Sequence, residues 1–172
     1  MGKSLTASLD LRVSWEHANT PDAGGPIIKD HNNITLTDSL ADGTGVDSAD
    51  LVWHDVRTLA GSTSEDLDFA GGVSDQFGAT ITFAKVRGLV IRNQTTTATH
   101  ILEIGGASSN DWNAWLGATG DVVKVGPDGC LFIWNPSAAG FAVTAGTGDI
   151  LKINNAGAGA TTYQIAVIGS SV

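Results

Sequence analysis

Between Ser4 and Trp15 the chain reads SLTASLDLRVSW. Leu5, Ala7, Leu9, Leu11, Val13 and Trp15 hold the odd positions, and Ser4, Thr6, Ser8, Asp10, Arg12 and Ser14 the even ones. Successive side chains leave a strand on opposite sides, so unbroken period two makes one face apolar and the other wet. The apolar face must be covered, either by the chain's own core or by a neighbouring subunit. We therefore expect Leu5, Leu9, Leu11, Val13 and Trp15 to form the interaction face of an N-terminal strand or arm, residues 1–20.

The segment NTPDAGGP, Asn19 to Pro26, carries two prolines and two glycines and reads as a break in regular structure. It places a linker at residues 21–31 and a single domain at 32–172. Across that domain short runs with strand character alternate with Gly, Asp and Asn. They include NNITLTD, LVWHDVRTL, GLVIRN, HILEIGG, DVVKV, CLFIW, DILKINN and TTYQIAVIG. In ATITFAKVRGLVIRN the apolar step from Phe83 to Val86 to Leu89 is three residues, which predicts a helical turn or a bulge around Lys85 to Arg87. In DWNAWLG, Trp112, Trp115 and Leu116 fall at i, i+3 and i+4 behind Asp111, which predicts one helical turn. Recurrent short strands with Gly-rich turns and no long amphipathic helix predict an all-β fold, a jelly-roll-like sandwich of two sheets with about 8–10 strands.

Composition narrows the chemistry. The net charge is −9, and the nine Lys and Arg are scattered along the chain. Binding a phosphate backbone needs clustered basic residues, so nucleic acid is not an expected partner. No run is apolar and long enough to predict a membrane span, and the alternating start does not read as a secretory signal. The one cysteine, Cys130, has no internal partner and lies in the run CLFIW, which predicts a buried structural thiol.

Signatures of catalysis are sparse. His17, His31, His54 and His100 form no ligand pair at i+2 or i+4, and neither a metal nor a cofactor is expected. Within a strand, His54 and Asp55 point to opposite faces and form no dyad. Asp42, Asp47 and Asp50 share a Gly-containing loop of the kind that can bind calcium, without EF-hand spacing; a solvated loop is the simpler reading. Glu65, Asp66 and Asp68 read as a solvated edge. Gly157-Ala158-Gly159 has no helix after it to receive a phosphate and reads as a flexible turn. Asn33-Ile34-Thr35 and Asn93-Gln94-Thr95 are formal glycosylation sequons. Trp15, Trp53 and Trp134 are in phase with apolar neighbours and predict core or interface. Trp112 and Trp115 lie near a loop and could instead form a platform for a sugar.

Three stretches together resemble a known group of proteins. They are ADLVWHDVRTLAGSTSEDLDFAGGVSDQFGATITFAKVRGLVIRN, DWNAWLGATGDVVKVGPDG and GFAVTAGTGDILKINNAGAGATTYQIAVIG. They are similar to small structural proteins encoded in the head-gene region of tailed bacteriophages, and the likeness covers about residues 46–170. Members placed on a virion look like jelly-roll capsid cement or decoration proteins. The resemblance implies a non-enzymatic protein on the outer surface of the capsid, bound to the major capsid protein and to its own copies as a dimer or trimer. A carbohydrate-binding module or a tail- or fibre-associated protein is the alternative.

Overall fold

The computed structural model describes residues 4–19 and 27–172, and no helix occurs among them. Two long strands come first: β1 (Ala7–Asn19) and β2 (Ile28–Asp42). They pair antiparallel along their whole length, from Ala7 opposite Leu40 to Asn19 opposite Ile28. Short β3 (Ser48–Ala49) adds in parallel to the end of β2. The predicted linker must be redrawn. Residues 28–31 belong to β2, because the β1 alternation finds its partner there, and residues 20–26 lie outside the described part. β1 therefore pairs within its own chain.

The body is a sandwich of eight strands: β4 (Leu51–Leu59), β5 (Ser64–Asp68), β8 (Lys85–Asn93), β9 (Leu102–Gly105), β10 (Val122–Val125), β11 (Cys130–Trp134), β13 (Ile150–Asn155) and β14 (Thr161–Ser170). One sheet has the order β11-β8-β14-β4 and the other β10-β9-β13-β5. All pairs between these neighbours are antiparallel. Counted in chain order among the eight, the sheets run sixth-third-eighth-first and fifth-fourth-seventh-second. That is jelly-roll winding, as the strand spacing predicted. A small hairpin, β6 (Ala70–Ser74) with β7 (Thr80–Thr82), and short β12 (Phe141–Ala142), which joins β8, complete the chain.

Inward-facing residues of both sheets form one core. Trp53, Leu89, Ile91, Tyr163, Ile165 and Val167 come from one sheet, and Leu67, Leu102, Ile104, Leu151 and Ile153 from the other. An aromatic cluster closes one region of it: Trp112 lies edge-on to Phe69 at 5.2 Å, and Phe69 lies edge-on to Phe83 at 5.9 Å.

The irregular step at Phe83–Val86–Leu89 is a bulge. Ile168 pairs with Gly88 and Gly169 with Val86, which leaves Arg87 without a partner in β14. The Arg87 side chain is fully buried, with its guanidinium against the segment after β2 and Pro136. No helical turn forms at Asp111–Leu116. Leu116 N bonds Asn113 O at 2.8 Å in an isolated turn, while Asp111 bridges to Ile150 and Trp112 N bonds Ile150 O. Tertiary pairing overrides the local helical spacing.

Candidate functional site

Residues facing each other across an antiparallel pair share a side of the ribbon. Leu11 faces Leu36, Val13 faces Ile34, Trp15 faces Asn32 and Ala7 faces Leu40. The apolar side of β1 is therefore doubled by β2. The other side carries Asp10, Arg12 and Glu16 with Lys29 and His31; Glu16 contacts Lys29 at 3.0 Å and His31 at 3.2 Å. Such exposed pairs contribute little to stability but keep that side wet.

The apolar side changes character along its length. At the base Leu40 is fully buried, and Leu5, Ala7 and Leu9 are half-buried against the domain. Further out, Leu11, Val13 and Trp15 are 42%, 53% and 41% exposed, and Ile34 is 65% exposed. The predicted interaction face thus exists, but its outer half is bare within a single chain. A hairpin of two strands is only marginally stable in water unless something packs on it.

Within the ribbon, Asp42 Oδ1 accepts from Leu5 N at 3.0 Å. Two sets of polar contacts seat the ribbon on the sandwich. Asp38 Oδ2 accepts from the indole Nε1 of Trp134 at 2.7 Å. The buried Arg87 guanidinium donates to the carbonyls of Thr44, Gly45 and Pro136 at 3.1, 2.8 and 3.1 Å, pinning the segment after β2.

Trp134 itself lies flat on Gly88. A Cβ there would come within 2.8 Å of two of its ring carbons, so glycine is what lets the indole rest on the sheet. This is the outer side of the β11-β8-β14-β4 sheet, and it too is largely apolar. Phe132 stacks on Trp134 at 6.3 Å, and Val52, Val56 and Val90 are 36–58% exposed. Between them a shallow trough of about 320 Å³ has His54, Asp55, Val56, Val90, Arg92 and Cys130 in its lining. Cys130 is exposed there, which corrects the expected buried thiol. In β11 the inward positions belong to Leu131 and Ile133, so alternation turns Cys130 out.

Of the carboxylates singled out by spacing, Asp42, Asp50, Glu65 and Asp68 accept internal bonds, and Asp47 and Asp66 are exposed. Arg57 binds Glu65 through Nε at 2.7 Å and Asp55 through Nη1 at 2.9 Å, and Tyr163 Oη donates to Glu65 Oε1 at 2.6 Å. The bond to Glu65 holds the Arg57 proton more firmly than in an isolated arginine. Burial, and then the bond to Glu65, push the Tyr163 phenol up. Glu65 is therefore a tie between the two sheets rather than a solvated edge. Asp42 accepts from Leu5, and Asp50 accepts from Ser171 N and Oγ, so the Asp42–Asp50 loop does not converge on one point. Among the described residues no group of three or more His, Cys, Asp or Glu is placed to hold a metal ion.

Trp112 is 1% exposed and donates through Nε1 to Ala142 O, so it has no face to offer a sugar. Asn93 is fully buried, with its amide bonded to His100 O and Val125 O, so that sequon is closed in the folded chain. The turn at Gly157–Gly159 is packed rather than loose, since a Cβ at either glycine would come within 2.9 Å of His100.

Comparison of the chain with protein-family models, with characterised proteins and with solved structures finds no match. The geometry of the ribbon and of the sheet beneath it therefore carries the functional reading.

Proposed function

We propose that this chain is a virion structural protein without catalytic activity, a capsid cement or decoration protein that binds neighbouring major capsid protein subunits on the outer surface of the shell and associates with its own copies as a dimer or trimer. The observation that carries this reading is the ribbon: an amphipathic strand pair with Leu11, Val13 and Trp15 bare on one side. The sandwich supplies a rigid base for it, and β1 is the edge strand of its sheet. Edge strands add readily to a partner's sheet, which gives the ribbon a way to join a capsid subunit through its backbone while its side-chain face stays available to a neighbour.

The physics of a shell layer suits such a part. Many copies on one particle give avidity, so individually weak contacts add to a strong layer. Binding only the mature lattice shifts the equilibrium toward it. The test is protein composition of purified particles together with a map of the intact virion. The chain is expected on the head at a copy number matched to the capsid lattice. Finding it only on the tail, or missing from particles, rejects the capsid assignment.

A further inference from the structure

We propose that the apolar side of the ribbon and the outer side of the β11-β8-β14-β4 sheet are the two halves of one contact between copies of this chain, the ribbon of one copy lying across the sheet of the next. This deepens the reading above, resting on it only for the expectation that the chain self-associates, and it names the surfaces involved.

Both surfaces are apolar; within one chain they meet only at the ribbon's base, where Asp38 holds Trp134, and the outer half of the ribbon and Val52, Val56 and Val90 of the sheet stay exposed. On the ribbon, Leu11, Val13, Trp15, Ile28, Ile34 and Leu36 are 41–68% exposed. Together they leave roughly 600 Å² bare, so one ribbon-on-sheet contact removes roughly 1,200 Å² from water counting both sides, the lower end of a specific interface, and reciprocal exchange doubles it. Reach is sufficient as well. A 13-residue strand is about 43 Å long at about 3.3 Å per residue, against about 15 Å for the width of four strands.

Charge placement favours a second copy over an arbitrary partner. Two chains of net charge −9 repel each other, so a self-contact must keep its acids out of the way. Asp10 and Glu16 point to the opposite side of the ribbon, and Asp38 is already held by Trp134. Asp30, which shares the apolar side, faces His17 across the ribbon, and the trough carries the cation Arg92 while its one acid, Asp55, is paired with Arg57. The apolar side begins inside the chain's own core at Leu40 and continues past the domain's end, as expected of an element shared between subunits.

The contact joins two different surfaces, so it makes a specific mixing prediction. A ribbon variant carries Val13→Asp with Ile34→Asp, and a sheet variant carries Val56→Asp with Val90→Asp; circular dichroism checks that each folds. By light scattering after size exclusion, the parent chain is expected as a dimer or trimer and each variant as a monomer. Mixed in equal amounts, the variants are expected to form a complex again, since one supplies an intact sheet and the other an intact ribbon. Cys130 lies in the trough, so its maleimide labelling is expected to be several-fold slower in the parent than in the ribbon variant, and to speed up as the parent is diluted. That dilution series keeps the test alive if a variant fails to fold. A monomeric parent, a sheet variant that keeps the parent's mass, a mixture that stays monomeric, or labelling insensitive to dilution overturns the inference. A monomeric parent leaves the capsid reading standing, whereas absence from particles rejects that reading and leaves the oligomer.

Discussion

The indole Nε1 of Trp134 donates to Oδ2 of Asp38 at 2.7 Å, so the last residue of β11 holds the base of the ribbon. A neutral donor bonded to a carboxylate in a part-buried setting is stronger than an average surface bond. Asp38→Ala is expected to loosen the ribbon by about 1–2 kcal/mol, with little change in the sandwich. Hydrogen exchange checks this: amides of residues 28–40 should exchange faster, and those of β8 and β14 should not.

Gly88 lets that indole lie on the sheet. The added methyl of Gly88→Ala would meet Trp134 ring carbons at 2.8 Å and has to push the ring away. Overpacking of this kind costs about 1–3 kcal/mol. Thermal unfolding of the variant should show the loss, and pairing it with Asp38→Ala should give less than the sum, because both act through Trp134.

Arg87 is buried; its two terminal nitrogens donate to three carbonyls, while Nε has no partner among the described residues. In Arg87→Met the volume is kept, but Thr44, Gly45 and Pro136 lose this donor. Pro136 O keeps its bond from Asp47 N and Gly45 is exposed, so a loss of about 1–2 kcal/mol is the expected result, read from urea unfolding midpoints.

Two groups give opposite pH dependences. Tyr163 keeps its proton above the ordinary phenol value of 10.0 because it is buried and bonded to Glu65. The unfolded chain loses that proton first, so this contribution is complete below about pH 10 and fades as pH rises further. Tyr163→Phe should flatten the alkaline fall in stability relative to the parent.

Glu103 is held below the ordinary carboxyl value of 4.5 by its bond to Lys124, at 3.0 Å, and then by Asn154, at 2.9 Å. Here the unfolded chain binds the proton first as pH drops, so the contribution is present above about pH 4.5 and fades below it. Glu103→Gln should weaken the acid dependence, measured as the shift of the unfolding midpoint between pH 6 and pH 3.

Period two along β1 was enough to specify an amphipathic strand, because alternation is a property of the extended backbone whatever surrounds it. Short apolar runs between Gly- and Asn-rich turns likewise specified an all-β sandwich. What the alternating face would meet was not legible. Leu9 and Val13 have the same side-chain pattern, yet one is half-buried against the domain and the other bare, because only the position of the domain's end separates them. Cys130 reads as buried from its apolar run, but phase relative to Leu131 turns it outward. The Trp112 spacing is helical on paper, and pairing of Asp111 and Trp112 with Ile150 overrode it. Local pattern determined which residues alternate and where the chain turns. Only the tertiary structure decided which strands became neighbours, and therefore which apolar faces were buried in the core and which stayed exposed, since burial is a property of contacts far apart in sequence.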